Sequence, residues 1–208
     1  MIVHFQNIAH RDLKPDNILV DKENRIKIVD FGVSEMFQGG KDSMRKSAGS
    51  PSFMSPEMCS AKGASEGASL LKADVWAMGV VLYCMVTGHV PFRAETVFAT
   101  YELIRTEDPI FPNNIDPDLS DLLLKLLTKD PNSRITIPEV KVHPWVTENG
   151  KSPLPSSEEN CKDRVAVTEE EKQNSITKFG SVSGLFTVIK AVNRFRSLSQ
   201  SHQRENSK

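Results

Sequence analysis

Eighteen positions separate Asp12 from Asp30, and what lies between them constrains the fold more than any other stretch. Asp12 sits in His10-Arg11-Asp12-Leu13-Lys14-Pro15-Asp16-Asn17, and Asp30 opens Asp30-Phe31-Gly32. Between them, Ile18-Leu19-Val20 and Ile26-Lys27-Ile28-Val29 flank the polar turn Asp21-Lys22-Glu23-Asn24, which predicts a small hairpin that presents Asp30 at its end. Two loops brought together in this way gather carboxylates at 12 and 30, an ammonium at Lys14 and an amide at Asn17. Hard oxygen donors of this kind suit Mg²⁺.

The first run resembles a protein-kinase catalytic loop, and the second resembles that family's metal-binding loop. The resemblance implies that Asp12 accepts or orients the proton of an attacking hydroxyl. Lys14 would place a point charge on the transferring phosphoryl group, and Asn17 and Asp30 would hold Mg²⁺ on the phosphates of ATP. It also makes Asp30 to Glu57 an activation segment, closing with Ser55-Pro56-Glu57 where the family usually has Ala-Pro-Glu. Glu57 is expected to pair with Arg134, in Asp130-Pro131-Asn132-Ser133-Arg134, through a structural bidentate contact. Gly49-Ser50-Pro51-Ser52-Phe53 is the expected shelf for the residue after the phosphoacceptor, with Ser50 bonding both Asp12 and Lys14. That set is of the serine/threonine type and argues against tyrosine.

Arg11 beside Asp12 signals control by a phosphate on the activation segment. Related kinases carry that phosphoacceptor three residues before the shelf glycine, where this chain has Lys46. An active conformation that needs no phosphate at that position is therefore expected. The alternative is that Ser47, with Ser43 nearby, takes over the role.

A chain of 208 residues with 38% hydrophobic and 25% charged content suits one globular domain and a tail. No apolar run approaches the ~18 residues that span a bilayer, so stable membrane insertion is not expected. No signal peptide opens the chain, and no nucleic-acid partner is implied. Cys59, Cys84 and Cys161 are widely spaced and read as reduced thiols, in the cytoplasm with access to the nucleus. From Lys172 to Lys208 there are seven Lys/Arg and one acid, Glu205, a net +6, while the other 19 basic and 26 acidic residues net −7. A basic tail on an acidic body points to self-docking or to an acidic partner.

Residues 1–9 read as the end of a helix and a turn. Cys59 to Leu71 is small and polar, an exposed loop. Asp74 to Met85 is too apolar for a surface helix and is the expected buried central helix, with Asp74 at its start bonding amides of the catalytic loop. His89 reads as a loop residue. Residues 95–105 form a helix with Val97, Tyr101 and Ile104 on one stripe. Apolar residues at 119, 122, 123, 126 and 127 mark a core helix. Ile135 to Val142 is a further helix, and His143-Pro144-Trp145 ends the lobe with Trp145 as a packing anchor. The expected fold is mainly α: the large, C-terminal lobe of a protein kinase with a short β-hairpin at its cleft, over residues 1–147. A linker at 148–167, a regulatory region at 168–198 and a disordered tail at 199–208 follow.

Thr168-Glu169-Glu170-Glu171 has capping-box spacing. Val182, Leu185, Ile189, Val192, Phe195 and Leu198 then fall three or four apart on one stripe, with Lys190, Arg194 and Arg196 off it. By periodicity alone this basic amphipathic helix is a calmodulin-type target, a membrane-surface helix or a C-terminal helix packed on the lobe.

From about His4 to Leu198 the chain resembles the calcium/calmodulin-dependent protein kinase kinases. Asp30-Phe31-Gly32-Val33-Ser34, Phe53-Met54, Asp74 to Val80 and His143-Pro144-Trp145-Val146-Thr147 carry the likeness in the lobe. Glu159-Asn160-Cys161, Val167 to Glu171, Asn174-Ser175, Val188-Ile189-Lys190 and Arg194-Phe195-Arg196-Ser197 carry it beyond. The resemblance implies Ca²⁺–calmodulin as a partner, downstream protein kinases as substrates, and a 165–198 region that lies across the substrate cleft until calmodulin removes it. Leu185, Phe186, Ile189, Lys190, Val192, Arg194, Phe195, Arg196 and Leu198 would form the calmodulin segment. Ser183 stands where the family usually has a bulky aromatic anchor. Leu185 or Phe186 substitutes, about 20 Å along a helix from Leu198.

Only nine residues precede His10, and they hold no G-x-G-x-x-G loop and no Val-Ala-x-Lys strand. The small β-rich lobe, with half of the nucleotide site, is absent from this sequence. The chain alone is expected to be inactive, with Phe31 and His10 left as a sticky apolar face. It reads as a fragment of a full kinase, or as a short isoform that binds calmodulin or substrate kinases without catalysis.

Overall fold

The computed structural model describes His4, residues 7–36, 50–60, 68–156 and Glu159. The chain divides into two compact units, Met1–Arg164 and Val165–Lys208, and the second lies outside the described residues. The expected regulatory helix, the tail, Gly49, Lys46, Ser43, Ser47 and Cys161 therefore fall outside them too.

Among the described residues, four short strands and five α-helices position the candidate site. Strands β2 (Ile18–Val20) and β3 (Ile26–Ile28) pair antiparallel as the expected hairpin, with Leu19 opposite Lys27. Its turn is fixed by Asp21, whose carboxylate accepts from the N–H groups of Glu23 and Arg25, and by Asn24 at φ +58°. A second two-stranded ladder joins β1 (Ile8–Ala9) to β4 (Glu35–Met36), where the end of a helix and a turn were expected before residue 10 and no strand. Strands of two residues carry no readable alternation, and their pairing is set by the loops they clamp.

The central helix α1 spans Leu70–Thr87. It starts a turn before the expected Asp74 because Ser69 caps it, accepting from the N–H of Lys72 at 3.3 Å. It ends at Gly88, whose φ of +79° closes the helix in the left-handed conformation. Its length and mean hydropathy of 1.5 would suit a membrane span, against the expectation that no such run exists. Here the apolarity serves a core. Trp76, Val80 and Tyr83 pack with Phe92, Ile104, Leu119, Leu123 and Leu127, while Val75 packs with Leu122, Leu126 and Ile135. Each fully buried side chain of this size contributes about 1.5–3 kcal/mol.

The partner helices follow their caps. Helix α2 (Val97–Thr106) is capped by Thr96, and α3 (Pro117–Leu126) by Asp116, which accepts from the N–H of Leu119 at 2.9 Å. All five apolar positions expected of this core helix are buried, four on α3 and Leu127 at its C-cap. On α2 Ile104 is buried but Val97 is about half exposed, so the expected stripe runs off the core at its first turn. Helices α1 and α3 meet at Gly79, where a Cβ would lie 2.8 Å from Leu126 Cβ. Only glycine permits that approach.

Helix α4 (Ile137–Lys141) is shorter than expected, because Thr136 and Glu139 form a capping box that fixes its start and Val142 leaves helical geometry. Helix α5 (Pro144–Thr147) is capped by His143, which is buried and bonded to Asp121. Trp145 is 38% exposed, and so it is not a buried anchor. It borders an apolar groove of about 330 Å³ together with Ile18, Ile28, Met85 and Leu122.

Candidate active site

Asp12 is fixed by three neighbours from two chain segments. Its Oδ1 accepts from Ser50 N–H and Oγ–H, each at 2.9 Å. Its Oδ2 accepts from Lys14 Nζ at 2.9 Å and from Asn17 Nδ2 at 3.3 Å. Lys14 Nζ also donates to Ser50 Oγ at 3.1 Å, so Ser50 bridges the pair as the sequence reading required. The backbone N–H bond from Ser50 was not expected, and it locks the carboxylate plane. Burial raises the affinity of Asp12 for a proton, but the bonds from Lys14 and Ser50 and the Lys14 charge outweigh it and hold the carboxyl below its ordinary range. Lys14 is held up in turn by Asp12 and, more weakly, by Asp16 and Asp30, which brings Asp30 into the same field.

The loop beneath is held by Asp74. Its Oδ1 accepts from the N–H of Arg11 and its Oδ2 from that of His10, each at 2.8 Å. At 1% exposure this carboxylate is the buried support expected of it. His4 Nε2, 2.8 Å from Asp74 Oδ2, is a third partner that the sequence did not signal. His10 is fully buried, with Phe31 edge-on at 4.8 Å, so it forms no part of an exposed face; Phe31, 45% exposed, does. His10 Nε2 faces the carbonyl of Val29 at 3.0 Å, which can only accept. The ring proton therefore sits on Nε2, and Nδ1 is free to accept from Asp12 N–H. One imidazole thus ties the Asp12 loop to the strand leading into Asp30.

Asn17 is buried and donates Nδ2 to the Asp12 carbonyl at 2.8 Å. Its amide nitrogen is committed to Asp12, which leaves the amide oxygen for a cation. Asp30 is exposed at φ +61°, and its Oδ1 accepts from Gly32 N–H at 3.2 Å. A Cβ on Gly32 would crowd that oxygen at 3.1 Å, which explains glycine there. Among the described residues no group of three or more His, Cys, Asp or Glu side chains could hold a metal. Two hard oxygen donors, from Asn17 and Asp30, that leave positions for water and phosphate oxygens fit Mg²⁺.

Glu57 and Arg134 form the expected fork, Nη1 to Oε1 and Nη2 to Oε2, both at 2.8 Å. Phe53 lies in a 3₁₀ turn, Pro51–Phe53, and packs against the Trp76 core. Arg11 Nη1 meets Glu35 Oε2 at 2.8 Å, a partner the sequence did not reveal because Glu35 belongs to no recognisable pattern.

Residues 1–146 match the protein kinase domain. The chain belongs to the protein kinase family. It is 43% identical over 199 residues to the calcium/calmodulin-dependent protein kinase kinase cmkC of Emericella nidulans, covering 94% of this chain and 38% of that protein. Its identity to the calcium/calmodulin-dependent protein kinase kinase of Caenorhabditis elegans is 41% over 176 residues, covering 84% of this chain and 32% of that protein. To the serine/threonine-protein kinase GRIK1 of Arabidopsis thaliana it is 44% over 175 residues, covering 84% and 42%. The kinase chain therefore spans well under half the length of these relatives. The names of the first two place its likeness among the calcium/calmodulin-dependent protein kinase kinases, as the motifs implied. Protein kinases in general use ATP and Mg²⁺.

Proposed function

We propose that this chain is the large lobe and regulatory tail of a calmodulin-regulated serine/threonine kinase kinase. The whole protein would transfer the γ-phosphoryl group of ATP to Ser or Thr in the activation segments of downstream protein kinases. The observation that carries this reading is the Asp12 carboxylate, kept anionic and oriented by Lys14, Ser50 and Asn17. Asn17 and Asp30 would hold Mg²⁺, which would supply charge neutralisation on the phosphates. Asp12 orients the acceptor hydroxyl and takes up its proton as the new O–P bond forms, the bond from the γ-phosphorus to the bridging oxygen breaks and ADP leaves. Lys14 places its ammonium beside the transferring group, and the link through Ser50 keeps it there. The Gly49–Phe53 shelf would receive the substrate residue after the acceptor, and Arg11, Glu57, Asp74 and Arg134 keep the loops in register.

In this reading residues 1–147 are the lobe, 148–167 the linker, 168–198 the autoinhibitory and calmodulin-binding region and 199–208 a tail. The chain alone is inactive, and the whole protein acts in the cytoplasm with access to the nucleus. Two facts support calmodulin: the names of two relatives, and the apolar stripe at 182–198 with Lys190, Arg194 and Arg196 off it. Titration of a 176–202 peptide with calmodulin tests it. Binding that requires Ca²⁺ is the expected result, and equal binding without Ca²⁺ contradicts calcium control. Transfer from ATP to a catalytically dead downstream kinase, abolished by Asp12→Asn in the whole protein, tests the enzyme reading.

A further inference from the structure

The roles of Asp12 and Asp30 leave one charged contact unexplained. Arg11 Nη1 and Glu35 Oε2 lie 2.8 Å apart, with side chains only 10% and 30% exposed. Arg11 immediately precedes Asp12 and holds φ at +71°, a conformation that is strained for a non-glycine residue and persists only under restraint. Asp74 restrains its backbone at 2.8 Å, and Glu35 restrains its side chain. Glu35 lies in β4 opposite Ala9 of β1, five residues beyond Asp30. The contact therefore closes a ring. From Asp12 the chain runs through the hairpin to Asp30, on to Glu35, and back across the ion pair to Arg11. The β1–β4 ladder alone is two residues long, too short to hold such a ring by backbone bonds.

We propose that Glu35 is a positioning residue for phosphoryl transfer, a resident counter-ion whose carboxylate holds Arg11 so that the Asp12 and Asp30 loops stay in register without a phosphate on residues 37–49. The idea rests on the kinase reading and deepens it. A phosphate orders a segment by presenting acceptor oxygens and negative charge to arginine. A carboxylate supplies two such oxygens and one charge, and at position 35 the polypeptide carries them permanently. If Glu35 is neutralised, Arg11 loses that charge and the link it closes between the Asp12 and Asp30 loops weakens.

The test uses the whole protein, freed of phosphate by phosphatase and verified by mass spectrometry, assayed for transfer to a serine-containing protein substrate. Wild type is expected to keep its activity after the treatment. Glu35→Gln should lower kcat roughly tenfold, the scale of one lost charge-assisted bond, with KM for ATP little changed. Glu35→Asp should recover part of the loss. Arg11→Gln combined with Glu35→Gln should be no slower than Arg11→Gln alone, because one contact cannot be lost twice. A merely structural glutamate would lower the melting temperature without separating kcat from KM. The proposal is overturned if Glu35→Gln keeps full kcat, if the two losses multiply, or if phosphatase alone silences the wild type. Untreated protein that shows no transfer sensitive to Asp12→Asn overturns the kinase reading along with it, whereas sensitive transfer beside an unaffected Glu35→Gln overturns only this proposal.

Discussion

Arg134 is the most heavily committed side chain in the described structure, and removing its partner gives the sharpest stability prediction. The guanidinium is fully buried and all five of its N–H groups are used. Two go to Glu57 at 2.8 Å, and the others go to the carbonyls of Thr128, Lys72 and Lys129 at 2.9, 2.7 and 3.1 Å. The Trp76 ring covers it at 5.1 Å. Glu57→Gln leaves this cation without a counter-charge, which costs about 3–5 kcal/mol. At about 2–4 °C per kcal/mol for a chain of this size, the melting temperature should fall by roughly 10 °C. Some buried ion pairs are replaced by apolar side chains without loss, but this one differs in its three carbonyls. In Glu57→Leu/Arg134→Met the carbonyls of Thr128 and Lys129 lose their donor, at about 1–3 kcal/mol each, while that of Lys72 keeps its place in the helical ladder, so the double variant should melt no higher than the single one. Thermal unfolding followed by circular dichroism decides the matter. A double variant as stable as the wild type would refute the argument, because the carbonyls would then need no guanidinium.

Three further outcomes are expected. Burial pushes the Lys129 ammonium down to about 8 against the pull of Asp108 and Glu107. Between there and its ordinary value of 10.5 the unfolded chain holds the proton more tightly, so stability rises with pH. Relative to Lys129→Met, the wild type should gain roughly 1 kcal/mol from pH 8 to pH 10 in urea denaturation, discounted for partial exposure. Asp74→Asn places an amide donor against the N–H groups of His10 and Arg11, so kcat of the whole protein should fall at least about tenfold as the Asp12 loop loses its support. The apolar groove bordered by Met85 and Trp145 should bind a hydrophobic dye to this chain in solution, and Met85→Lys should remove most of the fluorescence.

The chemistry-bearing residues were legible in the sequence because their side chains have few other uses in such an order. Asp12, Lys14, Ser50 and the Glu57–Arg134 fork lie where the motifs implied, and the i, i+3, i+4 pattern over α3 and its C-cap delivered all five core positions. The misses share a physical cause, since each turned on a contact made by a residue with many possible partners. Glu35 and His4 find Arg11 and Asp74 only once the loops have folded. Ser69, inside a run of small polar residues, became a cap and moved the start of α1. Capping at Thr136 shortened α4 from the other direction. Trp145 looked like an anchor by composition, yet its ring borders an open groove.

The central claim is that Asp12, with Asn17 and Asp30 close by, manages the charge of a migrating phosphoryl group. It is tested most directly by single-turnover transfer from radiolabelled ATP in the whole protein, comparing wild type with Asp12→Asn at saturating Mg²⁺. The account predicts unchanged ATP affinity and a rate lower by about 10²–10⁴-fold, the scale of a lost general base. Equal rates in the two proteins would contradict it.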